Sequence, residues 1–276
     1  MTSLALPQTA AKVTAARATL MSRQGTLARY GLGLALLAAA AAAMMAIDPR
    51  TLPSGINVWM KPTKFLVSVS IFALTMAWYF GFVRPERRGS PSMRVTAAVL
   101  IASGTFELAW IGWQGANGLE SHFNVDTPFY ALMYGLMGLF ALILTATTLP
   151  LAWEIARRPA AHVSRDLQAA LVIGLVLTFL LGAGFGIAVA VNGGHSVGPE
   201  AGAVPVFGWN RSGGDLRIAH FVGIHAQQAI PLLAFAARIL PERRRWQVLI
   251  VGTAGYVGVA VALFAQAAVG MPLLPL

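Results

Sequence analysis

The sequence predicts an all-α polytopic membrane protein, a bundle of seven transmembrane helices, on three observations. Of 276 residues, 57% are hydrophobic and only 11% charged, whereas a soluble domain carries about a quarter charged residues. Seven apolar stretches, about 30–47, 60–83, 94–113, 127–150, 167–191, 216–237 and 247–270, come close to the roughly 20 residues that cross about 30 Å of hydrocarbon. The basic residues segregate. Fifteen fall on segments sharing the N-terminal side, and five (Arg50, Lys61, Lys64, Arg211, Arg217) on the other. The alternation of a membrane β-barrel is absent.

The positive-inside rule then places the N-terminus in the cytoplasm and the C-terminus outside. The expected organisation is a basic tail over 1–29, one transmembrane domain over 30–270, and a short outer tail over 271–276. The first span reads as an uncleaved signal anchor, because its apolar run is longer than a signal-peptide core. A bacterial inner membrane is the expected location. The net charge of +10 is mostly this topology signal, attracted to anionic headgroups. No basic soluble module offers a nucleic-acid partner, while a homo-oligomer is compatible with the sequence. The absence of cysteine excludes thiol nucleophiles, Cys-ligated zinc, iron–sulfur clusters and disulfides.

The elements carry distinct signals. Pro62 sits in the first turn of the second span, where proline costs no hydrogen bond, and Lys61, Lys64, Ser68 and Thr75 share a face. On the third span Thr96, Ser103, Glu107 and Gln114 line one face at 100° per residue, with Trp110 at its border. Ser121-His122-Phe123-Asn124-Val125-Asp126-Thr127-Pro128 leads into the fourth span, with Asp126 or Thr127 as N-cap. Gly182-Ala183-Gly184-Phe185-Gly186 in the fifth span, and Gly252, Gly255 and Gly258 in the last, read as close-packing seams. The glycine-rich connection 192–215 reads as a lid, a binding loop or a flexible linker. In the sixth span His220 and His225 are five apart, about 140° around a helix, and Pro231 predicts a kink that frees the Gln227 carbonyl.

Polar residues gather toward one face of the expected bilayer. Glu107, Gln114, His122, Asn124, Asp126, His195, Asp215, His220, His225 and Gln266 map to the outer side, and the inner halves of the spans hold serine and threonine. Intramembrane charge is expensive and points by default to a functional site. The expected site therefore opens outward. Glu107 and Asp215 are its candidate catalytic groups. His122, His220 and His225 are the candidate metal ligands, since histidine is the commonest one. Lys61, Lys64, Gln114, Asn124, Arg217, Gln227 and Gln228 are the candidate substrate contacts. The cofactor expected is a divalent metal ion (zinc, iron or copper) or a b-type haem between two histidines.

This constellation resembles the seven-helix membrane hydrolases that include the alkaline ceramidases. Their paired His-x-x-x-His is missing, because four residues separate His220 from His225. The leading expectation is a metal- or haem-dependent membrane enzyme acting on a lipid-soluble or anionic substrate. The alternatives are a receptor or transporter taking a small-molecule or lipid ligand from outside, and a non-catalytic accessory subunit.

Overall fold

The computed structural model describes residues 5–275, with side chains from residue 12 except Val13. The elements run α1 (Ala5–Ile47), α2 (Met60–Phe80), a short α3 (Pro85–Arg88), α4 (Pro91–Ala116), α5 (Pro128–Ala146), α6 (Thr148–Arg157), α7 (Arg165–Val191), β1 (Ser196–Val197), β2 (Gly214–Asp215), α8 (Arg217–Ile224), α9 (Ala226–Ala236), a 3₁₀ turn (Ala237–Ile239) and α10 (Glu242–Ala268). Among the described residues six helical spans are long and apolar enough to cross a membrane. A seventh forms if α8 and the stretch Ala226–Ile239, bent by 51° at His225, count together.

Large side chains on the outer surfaces fit that reading. Leu36, Ile250, Val251 and Leu132 are each more than half exposed, and such a surface needs lipid rather than water around it. The chain is an all-α membrane protein.

The chain divides into two compact units, Met1–Asp126 and Thr127–Leu276. In the first, α1 buries a stripe of Leu27, Gly31, Leu34, Ala38 and Ala41 at helical spacing. Small residues let the helices approach. A Cβ on Gly31 would lie 3.2 Å from the Ser70 carbonyl oxygen, and one on Gly115 would lie 2.8 Å from that of Val58. Ser70 Oγ donates to the Gly31 carbonyl at 2.7 Å, tying α2 to α1. At the arginine-rich end, Arg23 Nη1 donates to the Trp78 carbonyl at 2.8 Å, and the guanidinium carbon of Arg23 lies 3.7 Å from the centroid of the Trp78 ring. Arg88 Nη2 donates to the Gly81 carbonyl at 2.9 Å. Both cations satisfy carbonyls at a helix C-terminus. The segment read as a tail is helical over Ala5–Arg23, and α1 breaks at Gln24 (φ −154°, ψ 88°) before its apolar part.

In the second unit α7 carries Gly174, Thr178, Gly182 and Gly186 one turn apart, facing the broken span. A Cβ on Gly182 would come within 2.9 Å of Ile224, one on Gly223 within 3.0 Å of the Gly182 nitrogen, and one on Gly174 within 3.0 Å of the Ala226 carbonyl. Of the seam expected at Gly182, Gly184 and Gly186, the first and last pack closely, on Ile224 and His220, whereas Gly184 faces open space. That at Gly252 is present against Leu233, whereas Gly255 and Gly258 face open space.

The chain breaks at His225 (φ −92°, ψ 4°), and Pro231 lies inside α9 rather than at the bend. The break releases backbone groups that lipid cannot satisfy, and neighbouring side chains take them up. The Gln227 N–H donates to Thr178 Oγ1 at 2.8 Å, and Tyr256 Oη donates to the Val222 carbonyl. This explains the displacement of the bend from Pro231 to His225: partners stand beside the upstream position.

The connection 192–215 is not a loose linker. β1 and β2 pair Ser196 with Asp215 and Val197 with Gly214, and Ala203 bridges Asn210. Asn210 Nδ2 donates to the Pro199 carbonyl at 2.8 Å and Ser212 Oγ to the Ala201 carbonyl at 2.7 Å. Gly214 packs where a Cβ would run into the Ala267 carbonyl.

Candidate functional site

In the first unit the expected face of α4 is the buried one. Thr96, Ser103, Glu107 and Gln114 are all buried, with Glu107 3% exposed. Ser103 and Thr96 return their hydroxyls to their own helix, to the Val99 and Ser92 carbonyls at 2.6 and 2.8 Å. Glu107 differs, because its Oε1 is buried with no hydrogen-bond partner among the described residues. Lys61 exerts its positive charge on both Glu107 and His122.

The loop after α4 is folded back over this carboxylate's helix. Gln114 Nε2 donates to the Glu120 carbonyl at 3.1 Å, and Trp110 Nε1 donates to the Ser121 carbonyl at 3.1 Å. Ser121 Oγ pairs with His122 Nδ1 at 3.1 Å, and the Phe65 ring centroid lies 5.8 Å from the imidazole. Phe123 holds φ 60°, an uncommon conformation for a residue other than glycine. Burial, reinforced by Lys61, pushes His122 down to about 3, so it is neutral at physiological pH.

Asn124 Oδ1 accepts from the Asp126 N–H at 3.3 Å, a turn-forming role, and Asp126 is exposed. Thr127, not Asp126, is the N-cap of α5, accepting from the Tyr130 N–H at 3.3 Å. Lys64 is half-buried, one turn beyond Lys61.

The second unit holds the remaining candidates. Asp215 is 1% exposed, and both its oxygens are engaged. Oδ2 accepts from the Asn210 N–H at 2.8 Å and from Arg217 Nη2 at 2.5 Å, and Oδ1 from Arg217 Nε at 2.9 Å and the Arg217 N–H at 3.0 Å. Burial raises this carboxyl, yet the Arg217 bonds and charge with the Asn210 and Arg217 N–H groups outweigh it and hold it below its usual range. Arg217 also donates to the Gly208 carbonyl at 2.6 Å. These contacts brace the start of α8.

His220 and His225 diverge, as their spacing predicts. His220 Nδ1 pairs with the Gly182 carbonyl at 2.9 Å, in a space Gly186 leaves open to it. His225 packs its ring 4.4 Å from Phe221, and its backbone carbonyl accepts from the Gln228 N–H at 3.0 Å, while Gln227 is buried at the break.

Two expectations change. Among the described residues no three His, Cys, Asp or Glu side chains are gathered to hold a metal ion. The expected set of His122, His220 and His225 with Glu107 or Asp215 forms no such group: within the second unit His220 is directed to the Gly182 carbonyl, His225 to the Phe221 ring and Asp215 to Arg217. The bounds of two spans also shift: helices reach over Pro128–Arg157 and Arg165–Val191 and so take in two acids that the expected spans leave in the connection 151–166. Glu154, 3% exposed, pairs with Arg158 at 3.2 Å, and Asp166, 4% exposed, leaves Oδ2 without a hydrogen-bond partner among the described residues.

Sequence reasoning passed over Ser121, Phe65, Thr178 and Tyr256. Thr178 had a signal, lying midway between Gly174 and Gly182 at four-residue spacing. Ser121 and Phe65 acquire meaning only from the fold. No family model matches the chain, and no curated protein or solved structure matches it.

Proposed function

We propose that this integral membrane protein works through the polar side chains gathered around Glu107 in its first unit, as a membrane-embedded enzyme. It binds a small anionic, lipid-soluble substrate and exchanges a proton with it at Glu107. The carrying observation is a carboxylate 3% exposed within a spanning helix, with one oxygen unpartnered and the charge of Lys61 acting on it. Such a group is costly in hydrocarbon, and ordinary packing does not require it. Lys61, with Lys64 one turn on, supplies the cation for the substrate's anionic end. His122, kept neutral, supplies a hydrogen-bonding imidazole, and Gln114 and Trp110 hold the loop over the site. The bias of lysine and arginine supports an extracytoplasmic position for this site, and we assign the protein to a bacterial inner membrane.

A metal ion or b-type haem is the variant of this reading that rests on His220. With Nδ1 donating to the Gly182 carbonyl, Nε2 carries the lone pair, the arrangement in which histidine ligates. The visible spectrum and metal content of the purified protein test it, and a Soret band lost in His220→Ala is the expected signature. The break at His225 favours a second reading, a transporter, since substrate sites in transporters are built at discontinuous helices. An accessory subunit without chemistry would use Glu107 only to hold helices together.

Titration calorimetry and thermal stability with decanoate, decyl phosphate and uncharged decanol test the enzyme's binding step. The two anions are expected to bind and stabilise, and Lys61→Met to weaken them about tenfold, equivalent to about 1.4 kcal/mol. Glu107→Gln is expected to fold and to lose the pH dependence of binding. Equal binding of decanol, or a Glu107→Gln protein that cannot fold, overturns the proposal.

A further inference from the structure

We infer that the tip of the 192–215 connection, residues 206–209, is seated in the headgroup–acyl boundary of the bilayer as a fixed lipid-contacting wedge. The inference is independent of the Glu107 site and rests on an aromatic cluster in the second unit. Phe207 stacks on Trp209 with ring centroids 4.5 Å apart. Both meet Phe221 edge-on, at 6.1 and 5.9 Å.

Phe221 belongs to α8, the first half of the broken span. It lies four residues beyond Arg217, about 6 Å farther along a helix axis. Rings packed on Phe221 share its depth. The loop tip therefore descends beside the span instead of standing above it in water.

The tip is held there. Arg217 Nη2 donates to the Gly208 carbonyl at 2.6 Å, and the Gly208 N–H to the Val204 carbonyl at 2.7 Å. Arg211 Nη2 donates to the Pro275 carbonyl at 2.8 Å. Val206 has φ 67°, a genuine outlier for a β-branched residue, and is 73% exposed. Beside it Phe207 is 46% and Phe221 41% exposed.

This contiguous apolar surface occurs at the entrance of a membrane span, where aromatic residues are enriched at the interface. Lipid is thus the occupant that fits. A cage for an organic cation does not fit, because Phe207 and Trp209 turn their faces on each other.

The chain has no cysteine, so single cysteines report cleanly. Val206→Cys, with Phe207→Cys as a second probe of the tip, and Glu200→Cys on the same connection are spin-labelled in phosphatidylcholine–phosphatidylglycerol bilayers. Collision rates with oxygen and with a water-soluble nickel chelate are then compared. Oxygen is expected to exceed nickel at both tip positions, and nickel to exceed oxygen at Glu200→Cys. Tip labels that favour nickel place the loop in water and overturn the inference. Tip labels shielded from both reagents overturn it as well, showing a covering protein such as a second copy of this chain.

Discussion

Half-buried His122 and buried Asp215 are titratable groups outside the spans, and their surroundings act on them differently. Around Asp215 the Arg217 guanidinium and two N–H groups outweigh the effect of burial, and the carboxylate stays charged. Around His122 burial and Lys61 act together, and the imidazole is held neutral down to about 3. The unfolded chain, with its histidine at the usual 6.5, takes up that proton first. The stability contributed by neutral His122 is therefore complete above 6.5 and lost as pH falls from there toward 3. Thermal unfolding in mild detergent is expected to show a midpoint that falls over this window, and His122→Phe, which keeps a ring beside Phe65, to flatten it. An unchanged slope in the variant would place the responsible group elsewhere.

Among the elements, the broken span α8–α9 depends most on its neighbours. A helix interrupted at membrane depth persists only where its released backbone groups find partners, and here Thr178 and Tyr256 provide them. Thr178→Val keeps the shape and removes the acceptor of the Gln227 N–H. It is expected to cost about 1–3 kcal/mol, the penalty for an unsatisfied buried donor, in reversible unfolding, and Thr178→Ser to restore most of it. Equal stability of the valine and serine variants would mean that water or a relaxed backbone replaces the hydroxyl.

The glycine seam explains why the sequence located this region but misjudged its bend. Pro231 announces a local steric conflict with residue 227. The small residues at 174, 182 and 223 instead let α7 approach α8 and α9 closely, bringing the Thr178 hydroxyl to the turn at His225.

At the scale of the whole molecule, the charge bias predicts sidedness that a reagent can read. Ser54→Cys, in the exposed turn before α2, is expected to react with a membrane-impermeant maleimide from outside intact cells. Ala161→Cys, in the exposed turn before α7, is expected to react only after the membrane is opened. The reverse pattern would invert the proposed assignment of the Glu107 site to the extracytoplasmic face.

The spans, the capping of α5 near Thr127, the buried face of α4 and the seam on α7 were legible because each follows from local periodicity or from the solvation of a contiguous segment. Helix geometry brings Thr96, Ser103, Glu107 and Gln114 to one side whatever they pack against. The ligand set was not legible. Whether His122, His220 and His225 meet depends on how their segments fold back, and the spacing of residues along the chain carries no such distance.

By itself the sequence determined a membrane protein of seven apolar stretches with an embedded glutamate, since the cost of charge in hydrocarbon is a property of each segment alone. Only the tertiary structure decided that Asp215 braces Arg217, that His220 is given to the Gly182 carbonyl, and that the span breaks at His225. Those outcomes depend on which neighbour reaches a buried polar group first, and neighbours are assigned by packing.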